Sequence, residues 1–270
     1  MNTKIIKTLT LFVALFLVTL LLLPNNNQQN SEVRSDKDDI AVMKKDTSCF
    51  SPTINKEQES PLRIVGLGDS LTAGVGDEKD EGGYIGKLEK KLSAADCPVS
   101  VTNYSKKGLK TGGLLQSLQD EKVSSAIANA HIVLFTIGAN DLVTIAKKER
   151  LQFTETAIKK AEQQYAKNIE ETLTKIRALN EDVQVYLVGF YNPISEAIIN
   201  DEQIDSLVTK WNNISENHTN QMDDTHFVRI DDMFTDKINR YLADDNFHLN
   251  HLGYEKVAER LINMIRAEGD

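Results

Sequence analysis

The chain has 270 residues, of which 40% are hydrophobic and 26% charged, and its net charge is −9. That balance predicts one packed domain plus extra segments, and the negative charge disfavours a phosphate backbone, so no nucleic-acid partner is expected. No segment recurs at a fixed period, which excludes a solenoid or propeller.

In chain order, Lys4 and Lys7 come first, ahead of an uncharged apolar run over residues 9–23 that Pro24 and a polar stretch close. Positive flank, apolar stretch and polar exit are the layout of a secretory signal. No small-x-small cleavage site ends it, and no cysteine there can carry a lipid. Counting Ile5 and Ile6, with Lys7 snorkelling to the interface, the run reaches 19 residues. That is about 28 Å of helix, close to the hydrocarbon thickness. Residues 1–24 are therefore read as an uncleaved membrane anchor, with the positive flank inside and the remainder on the extracytoplasmic face. Secretion after cleavage is the alternative. Residues 25–60 are polar and aperiodic and read as a flexible tether, with a reach of about 30–36 Å. Cys49 lies in the tether and Cys97 precedes an apolar strand. Outside the cell the two can pair, or both can remain thiols; spacing does not decide.

Residues 61–270 alternate short β-branched or aromatic runs with helical periodicity. Strands are expected at 62–67, 99–104, 131–137, 183–190 and 226–230. Tyr84, Ile85, Leu88 and Leu92 share one helical face, as do Ala161, Tyr165, Ile169, Leu173 and Ile176, and finally Tyr254, Val257, Ala258, Leu261, Ile262 and Ile265. The alternation predicts an α/β domain with a mostly parallel five-stranded sheet covered on both faces. Ligands of such sheets bind outside the carboxyl ends of the strands.

The first strand runs into Gly66-Leu67-Gly68-Asp69-Ser70-Leu71-Thr72-Ala73-Gly74. Ser70 is expected at the start of a helix, with its own N–H facing an anion, and its hydroxyl is a weak nucleophile that needs a base. A capping serine is the plainer reading of this segment alone. A dinucleotide loop is disfavoured, because Leu71 stands where a third glycine belongs and the second strand ends without an acid. The third strand ends in Gly138-Ala139-Asn140-Asp141, where an asparagine amide can face a developing oxyanion or simply cap a turn. The second strand is followed by Ser105-Lys106-Lys107-Gly108, and the Gly108 N–H is a candidate second donor. Near the C-terminus, Asp245 and His248 stand three apart, a spacing at which a carboxylate can fix the imidazole tautomer and leave Nε2 free for the serine proton. His251 is a rival base and Asp244 a rival orienting acid.

Taken together these blocks resemble the SGNH, or GDSL, hydrolase family. The first block is Gly68-Asp69-Ser70-Leu71-Thr72-Ala73-Gly74. The second is present in part, as Asn103 with Gly108. The third is Gly138-Ala139-Asn140-Asp141, and the last is Asp245-Asn246-Phe247-His248. The likeness extends over roughly residues 62–267. It departs from the family pattern at Ser105, where a glycine often stands, and at Leu249, where a proline commonly follows the histidine.

The resemblance implies a flavodoxin-like three-layer fold and esterase, lipase or acyltransferase chemistry, with no metal and no cofactor. It implies Ser70 as nucleophile, His248 as base and Asp245 as its orienting acid. The oxyanion hole would comprise the N–H groups of Ser70 and Gly108 and the Asn140 side chain. The expected substrate is a carboxylic ester of small-molecule, lipid or glycan type. An O-acyltransferase using the same site, or an inactive anchored binding module, are the alternatives.

Overall fold

The structure, a computed structural model, describes residues 61–95, 97–148, 154–193, 202–234 and 238–267. The expected anchor, the tether and Cys49 lie outside them. Cys97 is buried and disulfide-bonded. Among the described residues no helix is long and apolar enough to cross a membrane.

Five strands form one all-parallel sheet: β1 (Leu62–Gly68), β2 (Val99–Asn103), β3 (Ile132–Thr136), β4 (Gln184–Val188) and β5 (Thr225–Val228), in the order β2-β1-β3-β4-β5. All five expected strands are present; β2, β3 and β4 are trimmed at their ends, β1 runs one residue further to Gly68, and β5 is shifted to Thr225–Val228. Seven α-helices are described: α1 (Gly83–Ala94), α2 (Thr111–Ser117), α3 (Glu121–Ala128), α4 (Ala139–Lys148), α5 (Glu155–Leu179), α6 (Glu202–Thr219) and α7 (His251–Ala267). The periodicity that predicts α1, α5 and α7 is the face each one buries. Tyr84, Ile85, Leu88 and Leu92 of α1 and Tyr254, Val257, Ala258, Leu261, Ile262 and Ile265 of α7 all point inward.

Successive strand residues serve opposite faces, as the two-residue pleat requires. Ile64, Leu134, Tyr186 and Val228 pack under α1 and α7, whereas Val65, Val133, Phe135 and Leu187 pack under α2, α3, α5 and α6. Both faces being covered explains why an inner strand such as β3 reads as a continuous apolar run, whereas the edge strand β2 alternates valine with polar residues. Burial of a side chain such as Leu88 contributes about 1.5–3 kcal/mol, so the two clusters hold the helices against the sheet.

The strand order is the flavodoxin-like one, and its direction of winding reverses between β1 and β3. Such a reversal opens a crevice over the carboxyl ends of those two strands. Ser70 follows β1 and Asn140 follows β3, so the topology delivers both to one place.

One expectation is corrected here. No α-helix starts at Ser70; residues 70–76 form a run of turns. Ala73 N–H bonds to Asp69 C=O and Val75 N–H to Ser70 C=O, and then Gly76 adopts φ +96° and the chain leaves the coil. The Ser70 N–H is therefore presented by a tight turn and not by a helix dipole. Gly76 is required where it is, because a Cβ there would meet the Leu249 carbonyl at 2.6 Å and the His248 Cβ at 2.8 Å.

Candidate active site

The site is built from the loop between the short 3₁₀ turn Ile238–Arg240 and α7. Leu242 pairs with Leu249 in an isolated antiparallel bridge, and Ala243 N–H bonds to the His248 carbonyl at 2.8 Å. Asp245 then folds the segment onto itself as an aspartate turn does. Its Oδ1 accepts from the backbone N–H groups of Phe247 (3.0 Å) and His248 (2.9 Å), and its Oδ2 meets His248 Nδ1 at 2.5 Å. One carboxylate thus sets both the backbone and the ring of the histidine three residues on. Tyr191, just past β4, supports the loop by donating its hydroxyl to the Phe247 carbonyl at 2.6 Å.

The other ring nitrogen, His248 Nε2, lies 2.9 Å from Ser70 Oγ. With Nδ1–H donated to Asp245, Nε2 carries the lone pair and faces the serine hydroxyl. Both side chains are buried, Ser70 at 9% and His248 at 4% exposure, so their hydrogen bond is largely protected from competing water. Burial works against ionisation of Asp245. The hydrogen bonds from the His248 ring and from two backbone N–H groups, with the nearby histidine charge, outweigh it and hold the carboxyl at about 2. An ionised acceptor at neutral pH is what stabilises an imidazolium when the ring takes a proton.

The structure places the two rivals away from the Ser70 hydroxyl–imidazole contact. Asp244 is exposed while Asp245 takes the ring nitrogen. His251 points elsewhere, with Nε2 at 2.9 Å from Lys79 Nζ and Nδ1 at 2.5 Å from Lys87 Nζ.

On the far side of Ser70 the loop after β2 is drawn over the sheet end. Lys106 N–H bonds to the Gly68 carbonyl at 2.8 Å, and Leu109 N–H closes a turn onto the Lys106 carbonyl around Gly108. Asn140 Nδ2 donates to the Leu109 carbonyl at 3.0 Å, so Asn140 and the Gly108 turn are tied together. The N–H groups of Ser70 and Gly108 have no acceptor among the described residues. Asn103 sits further back. Its amide donates to the Thr72 carbonyl and its oxygen accepts from Ser105, which braces the two loops against each other.

Several supporting residues escaped the sequence reading. Asp69 is buried beneath Ser70 and accepts from Thr136 Oγ1 at 2.7 Å and from Leu71 N–H at 3.1 Å. Burial pushes its carboxyl up to about 6, against the downward pull of those two hydrogen bonds. Thr72 Oγ1 bonds to Thr136 and to the Tyr84 hydroxyl, which laces the nucleophile turn to β3 and α1. Gly68 permits this closeness, since a Cβ there would fall 1.9 Å from the Thr136 carbonyl oxygen. Asp141 accepts from both the N–H and the hydroxyl of Thr111, fixing the start of α2 just beyond the Gly108 turn. Only Asp69, Thr72 and Asp141 carry a sequence signal, by standing inside the motif blocks; Thr136 and Tyr84 carry none. Clefts also open along the β2 edge (Arg63, Thr102, Tyr104, Lys122) and beside α7 (Arg229, Arg260, Met264). They touch none of Ser70, Asp245 or His248, so chemistry rather than hollow space locates the site.

Comparison with known proteins shows the family. The family described as GDSL-like Lipase/Acylhydrolase matches residues 67–256. The uncharacterised protein YpmR of Bacillus subtilis is 37% identical over 210 residues, covering 76% of this chain and 82% of its own. The spore germination lipase LipC of Bacillus licheniformis is 26% identical over 208 residues, covering 74% of this chain and 94% of its own. Among solved structures, the lipase Lip_vut3 from a goat rumen metagenome superposes with a TM-score of 0.67 at 25% identity, covering 75% of this chain and 96% of its own.

Proposed function

The chain belongs to the GDSL-like lipase/acylhydrolase family and hydrolyses esters, and on that premise we propose an acyl-serine mechanism run by Ser70, His248 and Asp245 on the extracytoplasmic face. The observation that carries the mechanism is the 2.9 Å contact between His248 Nε2 and Ser70 Oγ, with Nδ1 held by Asp245. Ser70 attacks the ester carbonyl while His248 takes its proton. The oxygen of the tetrahedral intermediate is met by the Ser70 and Gly108 N–H groups and by the second amide hydrogen of Asn140, whose first is spent on Leu109. Imidazolium His248 then protonates the leaving alcohol. Water, deprotonated by the same ring, releases the acid and restores Ser70. The developing negative charge thus meets donors already in position, the usual source of the largest rate gain in acyl transfer.

Two observations support the location. Lys4 and Lys7 precede the apolar run, which gives it the polarity of an anchor or export signal. Cys97 is disulfide-bonded, a state that persists in oxidising compartments. The substrate class that fits is a carboxylic ester of an acyl lipid or acylated glycan.

The test is labelling with a fluorophosphonate, comparing the wild type with Ser70→Ala. Labelling of the wild type alone is expected. Equal labelling of both, or none in a folded wild type, would remove Ser70 from the mechanism.

A further inference from the structure

The loop that carries Gly108 is basic in an acidic chain. The chain has 40 acidic residues among 270, yet residues 97–119 contain no Asp or Glu, and their only charges are Lys106, Lys107 and Lys110. All three are exposed. Among the described residues none of them forms an ion pair, whereas Lys87, Lys90 and Lys91 of α1 each pair with a carboxylate. Asp141 feels the Lys110 charge, and both its oxygens are engaged by Thr111.

These lysines flank the crevice. Lys106 is bonded through its backbone to Gly68, two residues before Ser70, and Leu109 is bonded to Asn140. Leu109 and Leu114 pack into the apolar cluster on one face of the sheet, while Leu249 and Tyr254, beside His248, belong to the cluster on the other face. The two rims of the crevice therefore stand on opposite faces. On the His248 side, Asp244 is exposed on the catalytic loop, and Glu78 and Asp80 are exposed with the exposed Lys79 between them. Lys106, Lys107 and Lys110 fall on one loop with no acid between them, and like charges so placed reinforce one another toward an anion. Lysine serves such a ligand as a flexible point charge.

We propose that Lys106, Lys107 and Lys110 form an anion subsite on the rim of the Ser70 crevice, and that the ester hydrolysed there carries a phosphate or carboxylate group that docks against them. This rests on the reading of Ser70 and Gly108 as the acyl-transfer site. The subsite orients the substrate across the crevice, with its anion over the β2 loop and its ester over Ser70.

The experiment measures kcat/KM of the full chain on two matched pairs. One pair is 1-acetylglycerol 3-phosphate against 1-acetylglycerol; the other is mono-p-nitrophenyl glutarate against p-nitrophenyl valerate. The anionic member of at least one pair is expected to be favoured about tenfold at low ionic strength, mainly through KM, and to lose that advantage at about 0.5 M salt. The triple variant K106Q/K107Q/K110Q is expected to bring the ratio close to one. A preference confined to the first pair assigns a phosphate, and one confined to the second a carboxylate. Equal turnover within both pairs, or a preference that survives the triple variant, overturns the subsite while leaving the hydrolase reading intact. No turnover of any of the four esters, with no phosphonate labelling of Ser70, removes the reading of the site and the subsite with it.

Discussion

His248 and His251 stand three residues apart, and the structure gives them opposite surroundings. His248 has a carboxylate on Nδ1 and a hydroxyl on Nε2, so one nitrogen donates and the other accepts. His251 has an ammonium on each nitrogen, Lys79 on one and Lys87 on the other, with Asp77 at 3.6 Å and Glu81 at 3.4 Å nearby. A neutral imidazole has a single acceptor nitrogen, so only one of the two ammonium groups can donate to the ring, and neither ring nitrogen faces the Ser70 hydroxyl. The first arrangement can move a proton; the second ties the loop of residues 77–81 to α1 and α7. Identity of residue and nearness in sequence say little about role, and the atoms opposite each ring nitrogen decide it.

The widest separation between the two regions is kinetic. His248→Ala is expected to lower kcat by a factor on the order of 10⁶, as loss of the base does in comparable serine hydrolases. His251→Gln is expected to stay within about tenfold in kcat and to show instead as a fall in Tm of roughly 4 °C, the size of a 1 kcal/mol loss. Comparable losses of kcat in the two variants would break the distinction. Lys87 offers the converse test. Its side chain is 2% exposed and lies 3.8 Å from Asp77, itself 1% exposed, and 2.9 Å from Glu81. Lys87→Ala leaves the Asp77 carboxylate buried without its cation, which costs about 3–5 kcal/mol in urea denaturation; a cost below 1 kcal/mol would mean that the cluster holds nothing in place. Asn140→Ala sharpens the comparison from the catalytic side. It removes a single donor and is expected to lower kcat by about 10²–10³ with KM little changed. An unchanged kcat would leave the two backbone N–H groups as the whole oxyanion site.

What could be read in advance follows from the range of each interaction. Strands β1, β3, β4 and β5 were legible as short runs of mostly buried residues, and the edge strand β2, whose burial pattern is half-buried and exposed, by its β-branched alternation Val99, Val101. Asp245 and His248 were legible because they stand three residues apart, and Ser70, 178 residues from His248, because it falls inside a motif block. Helix α2 was not, since Gly112 and Gly113 leave Thr111 and Leu114 as its only buried residues. Helix α6 carried a signal that went unread, in the three- and four-residue spacing of Ile204, Leu207, Val208 and Trp211. The turn at residues 70–76 was mistaken for a helix because a serine after a strand suggests a cap, and only tertiary packing shows Gly76 lying against His248. The charged knot around Lys87 joins residues 164 apart in the chain, from Lys87 to His251, and no local pattern foretells it.

Two aspartates on either side of Ser70 have titrations that run in opposite directions. Asp245 is held at about 2 against an ordinary 3.8. Between those values the unfolded chain binds more protons than the native one, so its contribution is present above about pH 4 and drains away as pH falls toward 2. Asp69 is raised to about 6, so between pH 3.8 and 6 the native state binds more protons and stability falls as pH rises. Each shift corresponds to roughly 2–3 kcal/mol over its window. Urea denaturation from pH 3 to 7 should therefore show Asp245→Asn losing part of the rise on the acid side, and Asp69→Asn losing part of the decline between pH 4 and 6. Asparagine keeps an oxygen to accept from Thr136 and Leu71, so the second variant removes the charge and leaves those acceptor contacts possible. If both variants kept the wild-type slopes in both windows, neither carboxylate would be titrating as its surroundings dictate, and the ionised state assigned to Asp245 at neutral pH would lose its support.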